Sequence, residues 1–185
     1  HSFGSDWSSC NVMCNHNGDL RQAVSTAYSN TGKKINLLAF DACVMQQIEV
    51  VFDIKDYIKI FLAPQTICPL GGFRYDRIFQ ELEENSLTNE VELSKKIVEI
   101  NVENYIDVVP IVISSIDAEK LNSVRTALDD LFNNLLVSSP NQLIIDARMN
   151  VQTLPLIGYV PRPEDDYIDI GDFIKSLHDI FSNNE

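Results

Sequence analysis

The sequence has few positive charges and no long hydrophobic run. It contains 14 Lys and Arg residues against 27 Asp and Glu residues, which gives a formal net charge of −13. Because nucleic-acid binding and anionic-membrane binding depend on clustered Lys and Arg, this composition argues against both kinds of partner. No uncharged apolar stretch approaches the roughly 20 residues that cross a bilayer. The sequence therefore predicts no membrane span and no nucleic-acid partner.

Cysteine is also scarce, with four residues at positions 10, 14, 43 and 68. This number is too small for a disulfide scaffold in a chain of 185 residues. Cys10, Cys14 and His16 lie close together in the sequence, but their spacing matches no standard zinc signature and a fourth ligand is not evident. We therefore predict no metal site, and we expect a loop with free or paired thiols at these positions.

The composition that remains is that of a folded globular protein. Hydrophobic residues make up 45% and charged residues 22% of the chain, which are ordinary values for this class. The length suits a single domain over residues 1–185, and no internal repeat or low-complexity linker divides it. The chain opens at "HSFGSDW" without a Met, which is typical of a processed chain or of a fragment.

The order of apolar patterns predicts an α/β fold. The residues up to Gly18 are rich in Ser, Asn, Gly and Asp, and this predicts a loop. Three short apolar runs, "INLLAF", "YIKIFLAP" and "VVPIVISSI", predict strands, and Pro110 in the third favours an edge or irregular position. Helical patterns alternate with these runs. The sequence therefore predicts a mostly parallel sheet with helices on both faces.

The first predicted strand ends at Asp41, Ala42 and Cys43, and an amphipathic helical pattern follows at once. In open α/β sheets, the functional crevice lies outside the carboxyl ends of the strands. A thiol at the start of the following helix would meet the positive end of the helix dipole, which favours the nucleophilic thiolate. With a His in reach, Cys43 would form a Cys/His dyad for acyl transfer. The alternatives are a small buried hydrophobe for Cys43 and a helix cap for Asp41.

A longer signature extends from Asn36 to Asp76. The segments "LLAFDACVMQQIEVVFDI" and "DYIKIFLAPQTICPLGGFRYDRI" resemble the clostripain-like cysteine peptidases, the C11 group of the caspase-like clan. Members of that family carry Asp-Ala-Cys at a strand end, then Met and a Glu-Val pair, then a glycine turn before aromatic-x-Tyr-Asp. The later segment "NVQTLPLIGYVPRPEDDYIDIGDFIKSL" is similar to the family's late segment, so the resemblance covers most of the chain. The matching residues are Asp41, Ala42, Cys43, Met45, Glu49, Val50, Gly72, Phe73, Tyr75 and Asp76.

This resemblance implies a cysteine endopeptidase with Cys43 as the nucleophile. It implies that Asp41 lines the specificity pocket and helps to receive a basic P1 side chain. A second family acid, which precedes the aromatic-x-Tyr-Asp motif, is replaced here by "PLGGF", and a buried cation would lack that partner. Cys68 lies one position out of the family register, and we expect a buried or disulfide-linked thiol there.

The catalytic histidine has two alternatives. The family places it before the nucleophile, in a His-Gly motif at the end of the preceding strand. His1 stands at about the right distance from Cys43, although Ser2 follows it in place of the Gly that would offer an oxyanion-hole amide. Alternatively, "SFGSDW" matches a stretch downstream of the catalytic His, which then lies on a segment before residue 1. His16 is a weaker substitute, and His178 on the last helix is expected to be structural or at the surface.

The resemblance also implies a protein or peptide substrate and a secreted or cell-envelope location. The family sheet begins with strands that precede the catalytic His, so a separate light chain or a missing N-terminal segment is expected to supply them. Calcium dependence is known in the family, but the sequence contains no EF-hand loop, and "PEDDY" at residues 163–167 is expected to be an acidic surface loop. The alternative function is a non-catalytic relative that binds peptides or surface partners. Ser2 and the missing second acid favour that alternative, whereas the intact Asp41 and Cys43 oppose it.

Overall fold

The structure is a computed structural model, and it describes residues 2–6, 8, 11–14, 17–85, 89–109, 111–138, 141–151 and 168–182. The chain divides into two compact units, residues 1–121 and residues 122–185. The single domain over residues 1–185 stays a prediction. None of the helices in the described part of the chain has the length and apolar character needed to cross a membrane.

The first unit opens with a β-hairpin. Strands β1 (Ser2–Asp6) and β2 (Asn11–Cys14) pair in antiparallel fashion, with Ser5 opposite Val12. The prediction of a loop up to Gly18 is therefore wrong for these strands. Within the described residues these two short strands pair only with each other. They lack the apolar alternation that signals a strand over a core, and their Ser, Asn and Gly content is typical of loops.

Helix α1 (Asp19–Thr31) follows the hairpin. It begins after Gly18, whose φ of 78° is left-handed, and Asp19 lies in its first turn. The helix ends at Gly32, which has a φ of 66° and donates its N–H to the carbonyl of Tyr28. Leu20 and Val24 form the buried face of α1.

A mixed three-stranded sheet forms the centre of the first unit within the described residues. Strand β4 (Ile58–Pro64) lies between β3 (Ile35–Ala39) and β5 (Ile113–Asp117). β3 and β4 are parallel, whereas β4 and β5 are antiparallel because the chain enters β5 at Ile113, beside Pro64 at the carboxyl end of β4. The three strand predictions are confirmed, and Pro110 lies outside the described residues. The α/β prediction is confirmed.

Helices cover both faces of this sheet, as predicted. Phe61 of β4 packs in a cluster with Val24 of α1 and residues of the helix that follows β3. Leu62, which points to the opposite face, packs with Ile97 and Ile78 from the two helices between β4 and β5. These helices are α2 (Ile48–Ile54), α3 (Tyr75–Glu84) and α4 (Glu90–Tyr105).

The second unit is helical in the residues that the structure describes. Its apolar cluster includes Leu135, Ala147, Phe173 and Leu177, all of them buried. Ser176 donates its hydroxyl to the carbonyl of Ala147 at 3.0 Å and so joins the last two helices. The helices are α5 (Leu121–Ser138), α6 (Asn141–Met149) and α7 (Ile170–Ser182).

Candidate active site

The carboxyl ends of β3 and β4 bring two loop segments side by side. The hydrogen-bond ladder continues past β3, where Phe40 N–H donates to the carbonyl of Leu62 at 2.9 Å. Farther on, Val44 N–H donates to the carbonyl of Thr66 at 2.8 Å. Because parallel strands end at the same edge of a sheet, the segment that holds Cys43 lies against the segment that follows β4.

The surroundings of Cys43 differ from the predicted helix terminus. The helix that was expected directly after Cys43 begins only at Ile48, so the prediction that Cys43 lies at a helix N-terminus is wrong. Val44 instead adopts a left-handed conformation with a φ of 57°, which is uncommon for a β-branched residue and turns the chain sharply after the thiol. Cys43 is exposed, and its Sγ accepts the backbone N–H of Cys68 at 3.2 Å. A loop amide therefore provides the donor that the helix was expected to provide.

The carboxylate of Asp41 binds the loop that follows β4. Its Oδ1 accepts the thiol of Cys68 at 2.8 Å. Its Oδ2 accepts the backbone N–H of Phe73 at 2.9 Å and the hydroxyl of Tyr75 at 3.1 Å. Asp41 does not cap α2, whose N-cap residue is Gln47. Asp41 therefore fixes the 68–74 loop, which runs from Cys68 to the start of α3, against the end of β3.

The side chains that donate to Asp41 are shifted toward their protonated forms. Burial raises the pKa of the Cys68 thiol, and its hydrogen bond to the negative Asp41 raises that pKa further. Burial also raises the pKa of Tyr75, with the charge of Asp41 as the next cause. Both groups are thus protonated in the resting protein, where each donates to the carboxylate.

A glycine turn allows the 68–74 loop to approach Asp41 closely. Gly72 has a φ of 64°, and a Cβ added there would lie 2.5 Å from Oδ2 of Asp41. A Cβ added at Gly71 would lie 2.7 Å from the hydroxyl of Tyr105. That hydroxyl donates to the carbonyl of Gly72 at 2.7 Å. The turn is thus held between a carboxylate on one side and a tyrosine of α4 on the other, and only glycine fits both positions without a shift.

Asn101 and Arg74 fix the end of this loop. Asn101 is fully buried on α4, and its Oδ1 accepts the backbone N–H of Arg74 at 3.1 Å while its Nδ2 donates to the carbonyl of Ile97 at 2.8 Å. The guanidinium of Arg74 donates to Oδ1 of Asn104 at 2.6 Å and pairs with Asp76. Asn101 was not predicted from the sequence. Its signal was a polar residue four positions after Ile97 on the apolar face of a predicted helix.

Within the described residues, no histidine is seen beside Cys43. His1 and His16 lie outside them, so the Cys/His dyad stays a prediction. His178 is exposed on α7 in the second unit, and its Nδ1 lies 3.5 Å from the hydroxyl of Ser182, in agreement with a surface position. The part of the chain that the structure describes contains no group of three His, Cys, Asp or Glu residues that could bind a metal ion. Cys10 and residues 163–167 lie outside it.

Comparison with solved structures supports the fold. A cysteine protease from B. fragilis has a TM-score of 0.56 and 19% identity, over 97% of this chain and 74% of that chain. A secreted C11 cysteine protease from Bacteroides thetaiotaomicron, in complex with an irreversible peptide inhibitor, has a TM-score of 0.60 and 20% identity. That match covers 98% of this chain but 48% of the other, so this chain spans about half of the secreted protease.

Further comparisons reach the same group. A clostripain from Bacteroides thetaiotaomicron, in complex with the peptide inhibitor BTN-VLTK-AOMK, has a TM-score of 0.51 and 17% identity over 86% of this chain and 68% of that chain. No curated protein sequence matches this chain. The model of the clostripain family, peptidase C11, matches residues 6–185. Because this match covers nearly the whole sequence, the chain belongs to the clostripain family of cysteine peptidases.

Proposed function

We propose that this protein is an endopeptidase in which Cys43 attacks the scissile carbonyl of a peptide. The observation that carries the proposal is the contact between the exposed Cys43 sulfur and the backbone N–H of Cys68 at 3.2 Å, at the carboxyl edge of the sheet. A hydrogen bond from an amide stabilises a thiolate more than a thiol, and the thiolate is the nucleophile. Membership of the clostripain family supports the same assignment.

The chemistry requires a histidine as base and then as acid. The histidine takes the proton of Cys43, and the sulfur forms a tetrahedral intermediate with the carbonyl carbon. Amide donors near the thiol stabilise the oxyanion, and the histidine returns the proton to the leaving amine. Water then hydrolyses the acyl-enzyme. His1 is the candidate in this chain, and a His on a segment before residue 1 is the alternative.

We assign Asp41 to the recognition of a basic P1 side chain. A carboxylate offers about four acceptor positions, and three donors occupy Asp41 here, so one position is left for a guanidinium or an ammonium. The clostripain from Bacteroides thetaiotaomicron is bound to the inhibitor BTN-VLTK-AOMK, whose peptide ends in lysine, and this supports a basic side chain at P1. The turn "PLGGF" adds no second carboxylate, so Asp41 would balance the positive charge of the P1 side chain without help from this turn.

We also propose that a further strand of the protein pairs with the outer edge of β3. Among the described residues, β3 pairs only with β4, and this leaves its other edge available. A light chain or a segment that carries the catalytic histidine would fit this edge.

We propose as well that the protein is secreted. The secreted C11 protease among the similar structures supports this location.

The proposal is tested by cleavage of fluorogenic peptides with Lys, Arg or Leu at P1. Wild-type protein, Cys43→Ala and Ser25→Ala would be compared, because Ser25 is a small, partly exposed residue of α1 and controls for handling and folding. We expect cleavage after Lys or Arg by the wild type and by Ser25→Ala, and none by Cys43→Ala. Cleavage that persists in Cys43→Ala would overturn the assignment of the nucleophile. A folded wild type that cleaves none of the peptides would overturn endopeptidase activity for this chain.

A further inference from the structure

We propose that Cys43 and Cys68 form a reversible disulfide when the protein is exposed to a peroxide, and that this bond inactivates the active site. The effect on catalysis rests on the proposed function, since it requires Cys43 to be the nucleophile. The formation of the bond rests only on the positions of the two thiols. The Cys68 thiol has no role in the peptidase chemistry described above, in which Cys68 takes part through its backbone N–H.

The two cysteines lie within reach of each other. Both are free thiols, and the sulfur of Cys43 accepts the N–H of Cys68 at 3.2 Å. Because an N–Cα bond is about 1.46 Å long, the Cys43 sulfur lies within about 4.7 Å of the Cα of Cys68. The Cys68 sulfur is directed at Asp41, two residues before Cys43 in the chain. Rotation of the Cys68 side chain about χ1 can therefore redirect its sulfur from Asp41 to Cys43.

The two thiols differ in a way that suits a peroxide-reactive thiol and its resolving partner. Cys43 is exposed, so a dissolved peroxide reaches it first. Cys68 is only partly exposed and donates its proton to Oδ1 of Asp41. The carboxylate can accept that proton when the Cys68 sulfur attacks. Asp41 thus acts as the base for the second step.

Hydrogen peroxide is the oxidant, and the reaction balances in two steps. The Cys43 sulfur attacks one oxygen of the peroxide, the O–O bond breaks, and hydroxide leaves with the thiol proton as water. The Cys68 sulfur then attacks the sulfur of the Cys43 sulfenic acid while its proton passes to Asp41. An S–S bond forms, the S–O bond breaks, and the leaving hydroxide takes the proton from Asp41 as a second water. A thiol reductant returns both cysteines to thiols.

The disulfide would block catalysis in two ways. It consumes the Cys43 sulfur, and it removes the hydrogen bond between Cys68 and Asp41 that fixes the 68–74 loop. It also protects the nucleophile, because a sulfenic acid without a resolving thiol is oxidised further to the sulfinic acid, which reductants do not reverse. Cys68 would thus turn an irreversible loss of activity into a reversible one.

The test is peptide mapping of the intact chain after exposure to hydrogen peroxide and alkylation of the remaining thiols. We expect a peptide pair linked through Cys43 and Cys68, lighter by two hydrogens, which dithiothreitol separates. In Cys68→Ser, whose hydroxyl can still donate to Asp41, we expect no linked pair and a sulfinic acid at Cys43. Cys68→Ala serves as a second variant if Cys68→Ser unfolds. A wild type in which Cys43 stays unpaired, or pairs with Cys10 or Cys14, would overturn the proposal.

Activity measured on the same samples separates this proposal from the proposed function. If the linked pair forms in a protein that cleaves no peptide, the disulfide site stands and the endopeptidase assignment fails. If the wild type cleaves peptides but forms no linked pair, the disulfide proposal fails and the assignment stands. If both hold, dithiothreitol restores activity to peroxide-treated wild type but not to Cys68→Ser.

Discussion

The backbone N–H of Cys68 donates to the sulfur of Cys43 at 3.2 Å, and this contact joins the loops that follow two adjacent parallel strands. Its geometry depends on a second contact, because Asp41 accepts the thiol of the same Cys68 at 2.8 Å. The candidate nucleophile and the acid two residues before it thus hold the same residue of the 68–74 loop. Changes in that loop are therefore expected to alter catalysis as well as stability.

Asp41→Asn tests the role of the carboxylate in this loop. Asparagine keeps one acceptor oxygen but replaces the other with an amide nitrogen, which cannot accept from donors such as Phe73 N–H. We expect the free energy of unfolding to fall by about 1–3 kcal/mol, the range for a buried donor left unsatisfied. We also expect kcat/KM to fall more for peptides with Lys or Arg at P1 than for peptides with Leu.

The control for this prediction is Asp129→Asn. Asp129 is an exposed carboxylate that pairs with the exposed Arg125 at 3.3 Å, and exposed pairs contribute little to stability. Denaturant unfolding and peptide kinetics would be measured for both variants. Equal unfolding free energies for the two variants would contradict the role given to Asp41.

Gly72→Ala and Gly32→Ala separate backbone strain from steric contact. Both glycines have similar left-handed conformations, with φ of 64° and 66°. A Cβ at Gly32 meets nothing within 4 Å, whereas a Cβ at Gly72 would lie 2.5 Å from Oδ2 of Asp41. We expect Gly32→Ala to lower the free energy of unfolding by about 1–2 kcal/mol through backbone strain alone.

Gly72→Ala should lower the free energy of unfolding more than Gly32→Ala does. It should also lower kcat, because Asp41 must move away from the loop. Thermal unfolding and peptide cleavage would be measured together on both variants. The account of the turn would be wrong if the two variants lost the same stability and both kept wild-type activity.

The ion pair between Arg74 and Asp76 gives a prediction for acid stability. The hydrogen bond from Arg74 lowers the pKa of Asp76 from its ordinary value of 3.8 to about 2. A carboxyl whose pKa is lower in the folded state stabilises the protein above its unfolded-state pKa, and this stabilisation is lost as pH falls through its folded-state pKa. The contribution of Asp76 should therefore disappear between about pH 4 and pH 2.

We expect Asp76→Asn to unfold at a somewhat lower temperature than the wild type above about pH 4, and this difference in unfolding midpoint to vanish as pH falls toward about 2. The carboxylate is exposed, so high salt should reduce the difference between wild type and variant. The measurement is thermal unfolding at steps of pH at two salt concentrations. Identical pH profiles for wild type and Asp76→Asn at low salt would contradict the assignment.

Much of the central sheet could be predicted from local patterns. The runs that became β3 and β4 are apolar enough to signal buried strands, and the residues that follow them were correctly expected at one edge of the sheet. The β1–β2 hairpin could not be predicted in this way, because its two strands are short and have the composition of a loop. The orientation of β5 depends on where the chain leaves α4, which is a tertiary property.

The residues of the site were easier to predict from the sequence than the contacts between them. Cys43, Asp41 and Gly72 could be singled out by motif. The hydrogen bonds of Cys68 could not, because they join residues 25 and 27 positions apart through the packing of two loops. The delayed start of α2 was also hidden, since the helical spacing of apolar residues continues through the turn that Val44 creates.

The most direct test of the account is labelling with a peptidyl probe that carries an electrophilic ketone after lysine, followed by peptide mapping. We predict that the probe modifies Cys43 in the wild type, that an excess of competing substrate slows this modification, and that Cys43→Ala is not labelled. Cys68→Ala should still be labelled at Cys43, because its backbone N–H remains. Labelling of another cysteine at an equal rate, or labelling of Cys43 that substrate does not slow, would contradict the assignment of Cys43 as the catalytic nucleophile.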